Sequence, residues 1–308
     1  MSDHHSVYGL IFACTGGAIL GMGLCANLLA FSLFAKRGAL RQGRLDALLL
    51  SMALADVLTL LLVPFTLHSA LSFTWALGNA SCKVYQVLLA FSLAASTYSL
   101  CAVSAARAMA VTNPYRPPSR DLLAAMFVLV WASSFFVSVP LRIFATMETG
   151  QAPDHSYCLP TVQEHHYQVV LSQFVLYYLL PMLVIAFNYA RLGHVLRRAP
   201  ILSAAGARST RRASLMVFLA AATFTVCWLP GYVLELCVYL GLYRHGYAWE
   251  TFYFVCTLLQ YMHPCVNPLL YVLLAKRHRP QRRPRGGWLQ RCNRARVRPQ
   301  ISSVAHGI

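Results

Sequence analysis

Apolar residues run in seven long stretches, over residues 8–35, 45–69, 82–111, 122–143, 167–192, 212–240 and 249–275, with shorter polar gaps between them. Each is at least the ~20 residues that carry an α-helix across ~30 Å of hydrocarbon. None alternates with period two over about ten residues, as a barrel strand would. The pattern predicts an all-α bundle of seven transmembrane helices over residues 8–275, a short segment at 1–7, and a tail at 276–308. No internal repeat is found, which argues against an inverted-repeat transporter.

Charge sets the expected orientation. Lys36, Arg37, Arg41 and Arg44 fill the first gap, Arg116 and Arg120 the third, and Arg197, Arg198, Arg208 and Arg211 the fifth, while the tail carries ten more basic residues. The other gaps hold Lys83, Arg142 and Arg244 against Asp3, Glu148, Asp154, Glu164 and Glu250. Cytoplasmic loops are the basic ones, so the N-terminus is expected outside and the C-terminus inside. The chain is 58% hydrophobic and only 11% charged, with a net charge of +17. In a soluble protein that excess would suggest nucleic acid; here membrane orientation accounts for it, and no nucleic-acid partner is expected. Ten cysteines in 308 residues are too sparse for a disulfide scaffold, and no CxxC pair suggests zinc. The first apolar run is too long for a cleavable signal peptide and lacks a basic flank.

Polar residues inside apolar spans are costly and invite a functional reading. Asn27, Asp56, Ser96, Asn188, Glu235, His263 and Asn267 are such residues. A carboxylate at mid-span, Asp56, has to be protonated or to meet a cation shared with other oxygens, with Ser96, Asn27 and Asn267 as available partners. A hydrogen-bonded packing network without an ion is the alternative. Pro64, Pro140, Pro181, Pro230 and Pro268 would each free a carbonyl and kink their helices, although proline is also simply tolerated in membrane helices.

These residues, taken in order, resemble those of the rhodopsin-like (class A) G-protein-coupled receptors. The matches are Asn27, Leu54-Ala55-Asp56, Cys82, Trp131, Pro181 with Tyr189, Cys227-Trp228-Leu229-Pro230, and Asn267-Pro268-Leu269-Leu270-Tyr271, one set for each span. The resemblance implies a multi-pass plasma-membrane receptor, not an enzyme, with a heterotrimeric G protein as its inner partner. It implies a disulfide between Cys82 and Cys158, and a bound sodium ion at Asp56 and Ser96 as the sole cofactor. It gives Trp228 the role of a toggle beneath the ligand. Arg107, Tyr189, Asn267, Pro268 and Tyr271 become the inner switch.

The chain also departs from the family. Where Asp-Arg-Tyr is usual at the inner end of the third span, it reads Ala106-Arg107-Ala108, and Thr210, Arg211 and Arg212 supply no acid at the inner end of the sixth. Arg107 without a carboxylate beside it predicts raised basal activity, altered coupling or a silent receptor, unless other contacts compensate. His263-Pro264 stands where the family more often has Asn-Ser, which weakens the sodium expectation.

The ligand class narrows by exclusion. Amine receptors carry an Asp seven residues after the third-span cysteine, where this chain has Leu89; opsins carry a Lys where it has Tyr261. Trp75-Ala76-Leu77-Gly78 ahead of Cys82-Lys83 is similar to the first outer loop of peptide receptors. Tyr178 to Pro181, Asn188 to Arg191 and Cys265 to Pro268 are nearest the galanin, kisspeptin and allatostatin branch. Galanin-type receptors tend to have His after the sixth-span proline, and here Gly231-Tyr232 follows it. With family geometry, Gln86, Trp228, Tyr232, Glu235, Phe254 and Tyr261 would line an aromatic, mildly acidic mouth suited to an extracellular peptide. The short segment at 1–7 favours a lipid or metabolite receptor of the same fold as the alternative.

Other candidates are secondary. Of the outer histidines, His165 and His166 are adjacent rather than four apart, so no helix face prearranges a metal site. The sequon Asn79-Ala80-Ser81 abuts Cys82 and is expected to stay unmodified. Cys292 follows a basic amphipathic stretch and is a candidate palmitoylation site, and the basic tail would bind anionic membrane lipids. Ser302 and Ser303 are the tail's hydroxyl residues, so arrestin capture through tail phosphorylation is expected to be weak.

Overall fold

The computed structural model describes residues 2–36, 45–72, 74–113, 115–143, 145–149, 156–159, 166–198, 204–242 and 247–275. The first four helices are α1 (Ser2–Lys36), α2 (Asp46–Ser72), α3 (Gly78–Thr112) and α4 (Arg120–Arg142). A hairpin of β1 (Thr146–Thr149) and β2 (Ser156–Leu159) follows. The fifth span combines α5 (His166–Gln173), a π-helical turn (Phe174–Leu179) and α6 (Leu180–Arg198); α7 (Ala204–Tyr239) and α8 (Tyr247–Ala275) are the sixth and seventh. Six stretches among the described residues are long and apolar enough to cross a bilayer, and α8 adds a further helix of 29 residues.

Three helix ends extend well past the sequence expectation. α1 begins at Ser2, so residues 2–7 are helical; the fifth span runs on to Arg198, carrying Arg197 and Arg198; and α7 starts at Ala204, carrying Arg208 and Arg211 on a helix instead of a loop. In each case helix continues past the apolar run, because backbone hydrogen bonding does not stop where hydrophobicity does. The tail, including Cys292, lies outside the described residues.

Large apolar side chains cover the outside of the bundle: Phe136 is 73% exposed, Phe187 67% and Leu129 65%. Such a surface is stable only against hydrocarbon, as the patterning required. The interior is joined by short polar links. Ser51 Oγ lies 2.9 Å from Ser99 Oγ and accepts from Trp131 Nε1 at 2.9 Å, joining the second, third and fourth spans. Thr59 donates to Ser92 at 2.9 Å, and Asn27 Nδ2 donates to the Gly23 and Pro264 carbonyls at 2.9 and 3.0 Å. In hydrocarbon no water competes for these groups, so each bond ties helices together.

Pro181 shapes the fifth span. It has no N–H, and its ring crowds the preceding turn, which opens into the π-helical segment where the Leu180 N–H bonds back to the Val175 carbonyl. The Leu176 carbonyl, whose π-helical donor would have been the missing Pro181 N–H, accepts instead from the Tyr98 hydroxyl at 3.2 Å. Cys101 Sγ donates to the Pro181 carbonyl at 3.6 Å. The third span thus repairs the break in the fifth.

At the C-terminal end of α7, Gly241 has φ +68°, and the Gly241 and Leu242 N–H groups bond to the Val238 and Cys237 carbonyls at 3.2 and 3.0 Å. This is the Schellman stop, which needs a residue free of Cβ strain at that φ. In the hairpin Met147 pairs with Cys158, and Cys158 is bonded to Cys82 at the start of α3. The Trp75 N–H donates to Ser156, fixing the loop between α2 and α3 against the same strand.

Removing the Tyr98 hydroxyl should orphan the Leu176 carbonyl. Tyr98→Phe is expected to lower the stability of the detergent-solubilised protein by about 1–3 kcal/mol, read as thermal unfolding. Unchanged stability would show that the π turn closes without Tyr98.

Candidate functional site

Two regions of buried polarity face each other along the bundle axis. Toward the end that carries the hairpin, the fifth and sixth spans present a column of rings. Phe174 meets Tyr232 edge-on at 5.7 Å, Tyr178 stacks on Phe224 at 6.0 Å, and Phe224 stacks on Trp228 at 6.1 Å. Tyr232 lies 6.4 Å from Trp228. Sequence spacing explains the column: Phe224, Trp228 and Tyr232 recur every four residues on one face of α7. The Trp228 Nε1 and the Tyr232 hydroxyl are buried without a partner. Behind this column an apolar crevice of about 110 Å³ opens between the fifth and sixth spans, lined by Val170, Phe174, Leu229 and Val233 among others.

Arg142 enters from α4. Sequence reasoning counts it among the charges of an outer gap; the structure buries it in the last turn of the helix, 9% exposed. Its Nη2 donates to Gln173 Oε1 at 2.8 Å, while Nε and Nη1 are buried without partners. Glu235, Tyr177 and Tyr232 interact with it electrostatically. No ion pair to Glu235 is formed within hydrogen-bonding distance among the described residues. A Pro140 kink just before a lone basic residue was the available signal, and it is a weak one.

The six residues expected at the mouth divide. Trp228, Tyr232 and Glu235 lie on the α7 face just described. Gln86 Nε2 donates to the Cys158 carbonyl at 3.1 Å, so it holds the hairpin over the third span. Phe254 and Tyr261 instead pack on Phe12 of α1, with ring centroids 5.3 and 6.2 Å away. At Gly231, beside Tyr232, an added Cβ would displace the side-chain amide of Gln260 of α8.

The second region lies deeper. His263 is edge-on to Phe224 at 5.3 Å and to Trp228 at 6.4 Å. Its Nε2 lies 3.4 Å from Asn267 Nδ2, which donates to Asp56 Oδ2 at 3.0 Å, while Ser96 donates to Asp56 Oδ1 at 2.7 Å. Asp56 and Asn267 are each 1% exposed, and Asn267 Oδ1 has no partner. A path of contacts therefore runs from the ring column through His263 to Asp56.

At the opposite end, Arg107 borders a cavity of about 10 Å³ with Ser104, Asn188, Tyr189 and Ser214. Asn188 Nδ2 donates to Ser104 at 2.9 Å, and the Tyr189 hydroxyl donates to the Ser214 carbonyl, joining the fifth and sixth spans. Arg107 Nε is buried and unpartnered, and the acid acting on it is Asp46 at the start of α2, which the sequence reading did not single out. Ala106 and Ala108 are 0% and 1% exposed, packed in the bundle interior. Pro268 is buried; the Tyr271 side chain lies outside the described residues. Asn79, in the first turn of α3, accepts the Met147 N–H through Oδ1 at 3.1 Å.

A family model described as 7 transmembrane receptor (rhodopsin family) matches residues 26–271. Galanin receptor 2a of Danio rerio is 27% identical over 288 residues, covering 90% of this chain and 78% of that protein. Galanin receptor type 2 of Homo sapiens is 31% identical over 253 residues, 79% of this chain and 64% of its own length, just under two thirds. Melanin-concentrating hormone receptor 1 of Macaca mulatta is 28% identical over 288 residues, covering 89% of this chain and 80% of that receptor.

The hydrogen bonds at Asp56 separate two substitutions. Asp56→Ala strands both Ser96 and Asn267 and should cost about 1–3 kcal/mol of thermal stability. Asp56→Asn keeps one acceptor for Ser96, and a flip of the Asn267 amide presents its spare oxygen to the new donor, so its stability should fall within about 1 kcal/mol of wild type. Equal losses in the two variants would contradict this arrangement.

Proposed function

The chain belongs to the rhodopsin family of seven-transmembrane receptors, plasma-membrane signalling proteins and not enzymes, and on that premise we propose that its outer cavity takes a peptide and its inner end activates a heterotrimeric G protein. The observation that carries this reading is the unbroken path from the ring column through His263 and Asn267 to Asp56. Trp228 and Tyr232 offer rigid apolar surface with unused polar tips, the combination that anchors peptide side chains. Glu235 beside them suits a basic group. That the similar receptors are named for galanin and melanin-concentrating hormone supports a peptide over a lipid or metabolite.

The orientation has its own support. Basic gaps place the C-terminus inside. The Cys82–Cys158 bridge lies at the other end, where an oxidising compartment would keep it closed. With the N-terminus outside, ligand contact at Trp228 would press on His263 and shift the Asn267–Asp56 bonds. Opening the inner end of the sixth span would then break the bond from Tyr189 to the Ser214 carbonyl. Arg107, already short of a partner at Nε, would be released toward the G protein. In this chain apolar packing of Ala106 replaces the usual acid, and Asp46 supplies the remaining electrostatic restraint.

Sodium fits the deep cluster by donor chemistry. The Asp56 carboxylate, the Ser96 hydroxyl and the partnerless Asn267 Oδ1 are hard oxygen donors, and a bound cation would neutralise the buried carboxylate and hold the helices in the resting arrangement. The proposed effect is a resting receptor that unfolds at higher temperature in sodium than in an equal concentration of choline, a difference that Asp56→Asn should erase. No difference in wild type would remove the ion from this account.

Signalling tests the rest. Cells expressing the receptor and challenged with galanin, melanin-concentrating hormone and a peptide library should show G-protein activation by a peptide. Silence toward all of them, with activation by lipid or metabolite fractions, would favour the small-molecule alternative. Arg107→Ala should abolish activation, and Asp46→Asn should raise basal signal up to about fivefold, the worth of a partly exposed charge interaction.

A further inference from the structure

Arg142 stands out among the buried groups that the proposed signalling path leaves unused. A guanidinium offers five donors and cannot discard its charge within the protein. Here a single bond, to Gln173, is made, and both Nε and Nη1 are buried with nothing to donate to. Each free nitrogen can make a charge-assisted bond to a carboxylate. The Tyr232 hydroxyl, buried without a partner, interacts electrostatically with the same guanidinium. Glu235 acts on Arg142 as well but forms no ion pair with it at contact distance. A buried cation left with one bond is a costly arrangement for a protein that uses it only for packing.

We infer that Arg142, held by Gln173 and flanked by the Tyr232 hydroxyl, is the anchor for a carboxylate of the ligand. This rests on the reading of the outer cavity as the ligand cavity and goes further, because it assigns the ligand an acidic group. Glu235 then serves a basic or neutral donor of the same ligand. Gln173 orients the guanidinium by occupying Nη2, which leaves Nε and Nη1 as unpaired donors for the ligand. The two opposed charges, one on the fourth span and one on the sixth, would admit a ligand with both signs and reject one with basic groups alone.

Two measurements on the full-length receptor test this. The first needs no ligand: thermal unfolding of wild type, Arg142→Met and Arg142→Gln in detergent. Arg142 makes one structural bond, to Gln173, so Arg142→Gln, whose amide can still donate to Gln173, should leave the melting temperature unchanged or higher, with Arg142→Met lower at most by that one bond. A clear fall in both variants would make Arg142 a packing residue and overturn the inference. The second measures G-protein activation by galanin, by melanin-concentrating hormone and by library peptides, each as made and with all carboxyl groups converted to amides. Amidation should weaken the active peptide about ten- to a hundredfold on wild type and leave its potency on Arg142→Gln unchanged, as expected for loss of a charge-assisted bond. Arg142→Lys, which keeps the charge but loses the fork, should fall between. Equal potency of acid and amide forms on wild type would overturn the inference while leaving the peptide reading intact. Silence of wild type toward every peptide would defeat the peptide reading, and the unfolding data would then decide on Arg142 by themselves.

Discussion

Everything in this bundle depends on one constraint: between its helices there is no bulk water to satisfy a polar group. A helix settles its own backbone, but each proline and each polar side chain must find a partner on a neighbour. The links recorded here are answers to that demand. Tyr98 serves the carbonyl freed in the fifth span, Asn27 bridges the first and seventh, and Ser51 joins three spans at once. Helix packing and hydrogen-bond satisfaction are the same problem in this protein, and the solvent is the reason.

The groups that escape the constraint are informative for the same reason. Orphaned buried polar atoms are found at Trp228, Tyr232 and Arg142 toward the hairpin end, at Asn267 beside Asp56, and at Arg107 toward the other end. Asn27 Oδ1 completes the set among the described residues. They follow the axis along which a receptor must pass a signal. Unpaired buried donors and acceptors are costly at rest, and on the proposed reading they would be met by a ligand or a partner, stability being given up where binding is gained. The apolar packing of Ala106 belongs to the same trade. It stabilises the interior while leaving Arg107 with a weaker electrostatic hold than an adjacent acid would provide.

The division between sequence and structure follows the range of each interaction. The seven spans, their order and the family resemblance were legible because hydrophobic length and proline and asparagine positions are local signals that a bilayer enforces strictly. Asp56, Ser96 and Asn267 could be named together because polar residues in apolar runs are few. Other features could not be read from the chain. Phe254 and Tyr261 turn to Phe12 of α1 instead of Tyr232, Arg142 folds inward from what reads as a loop charge, and Asp46 acts on Arg107 of another span. These depend on how the helices rotate and where the π turn in the fifth span shifts its register. Rotation is set by many weak contacts between residues far apart in sequence, so it exists only once the bundle is packed. Composition determined that this chain lives in a membrane as a helical bundle; packing alone decided which of its polar groups were left without partners.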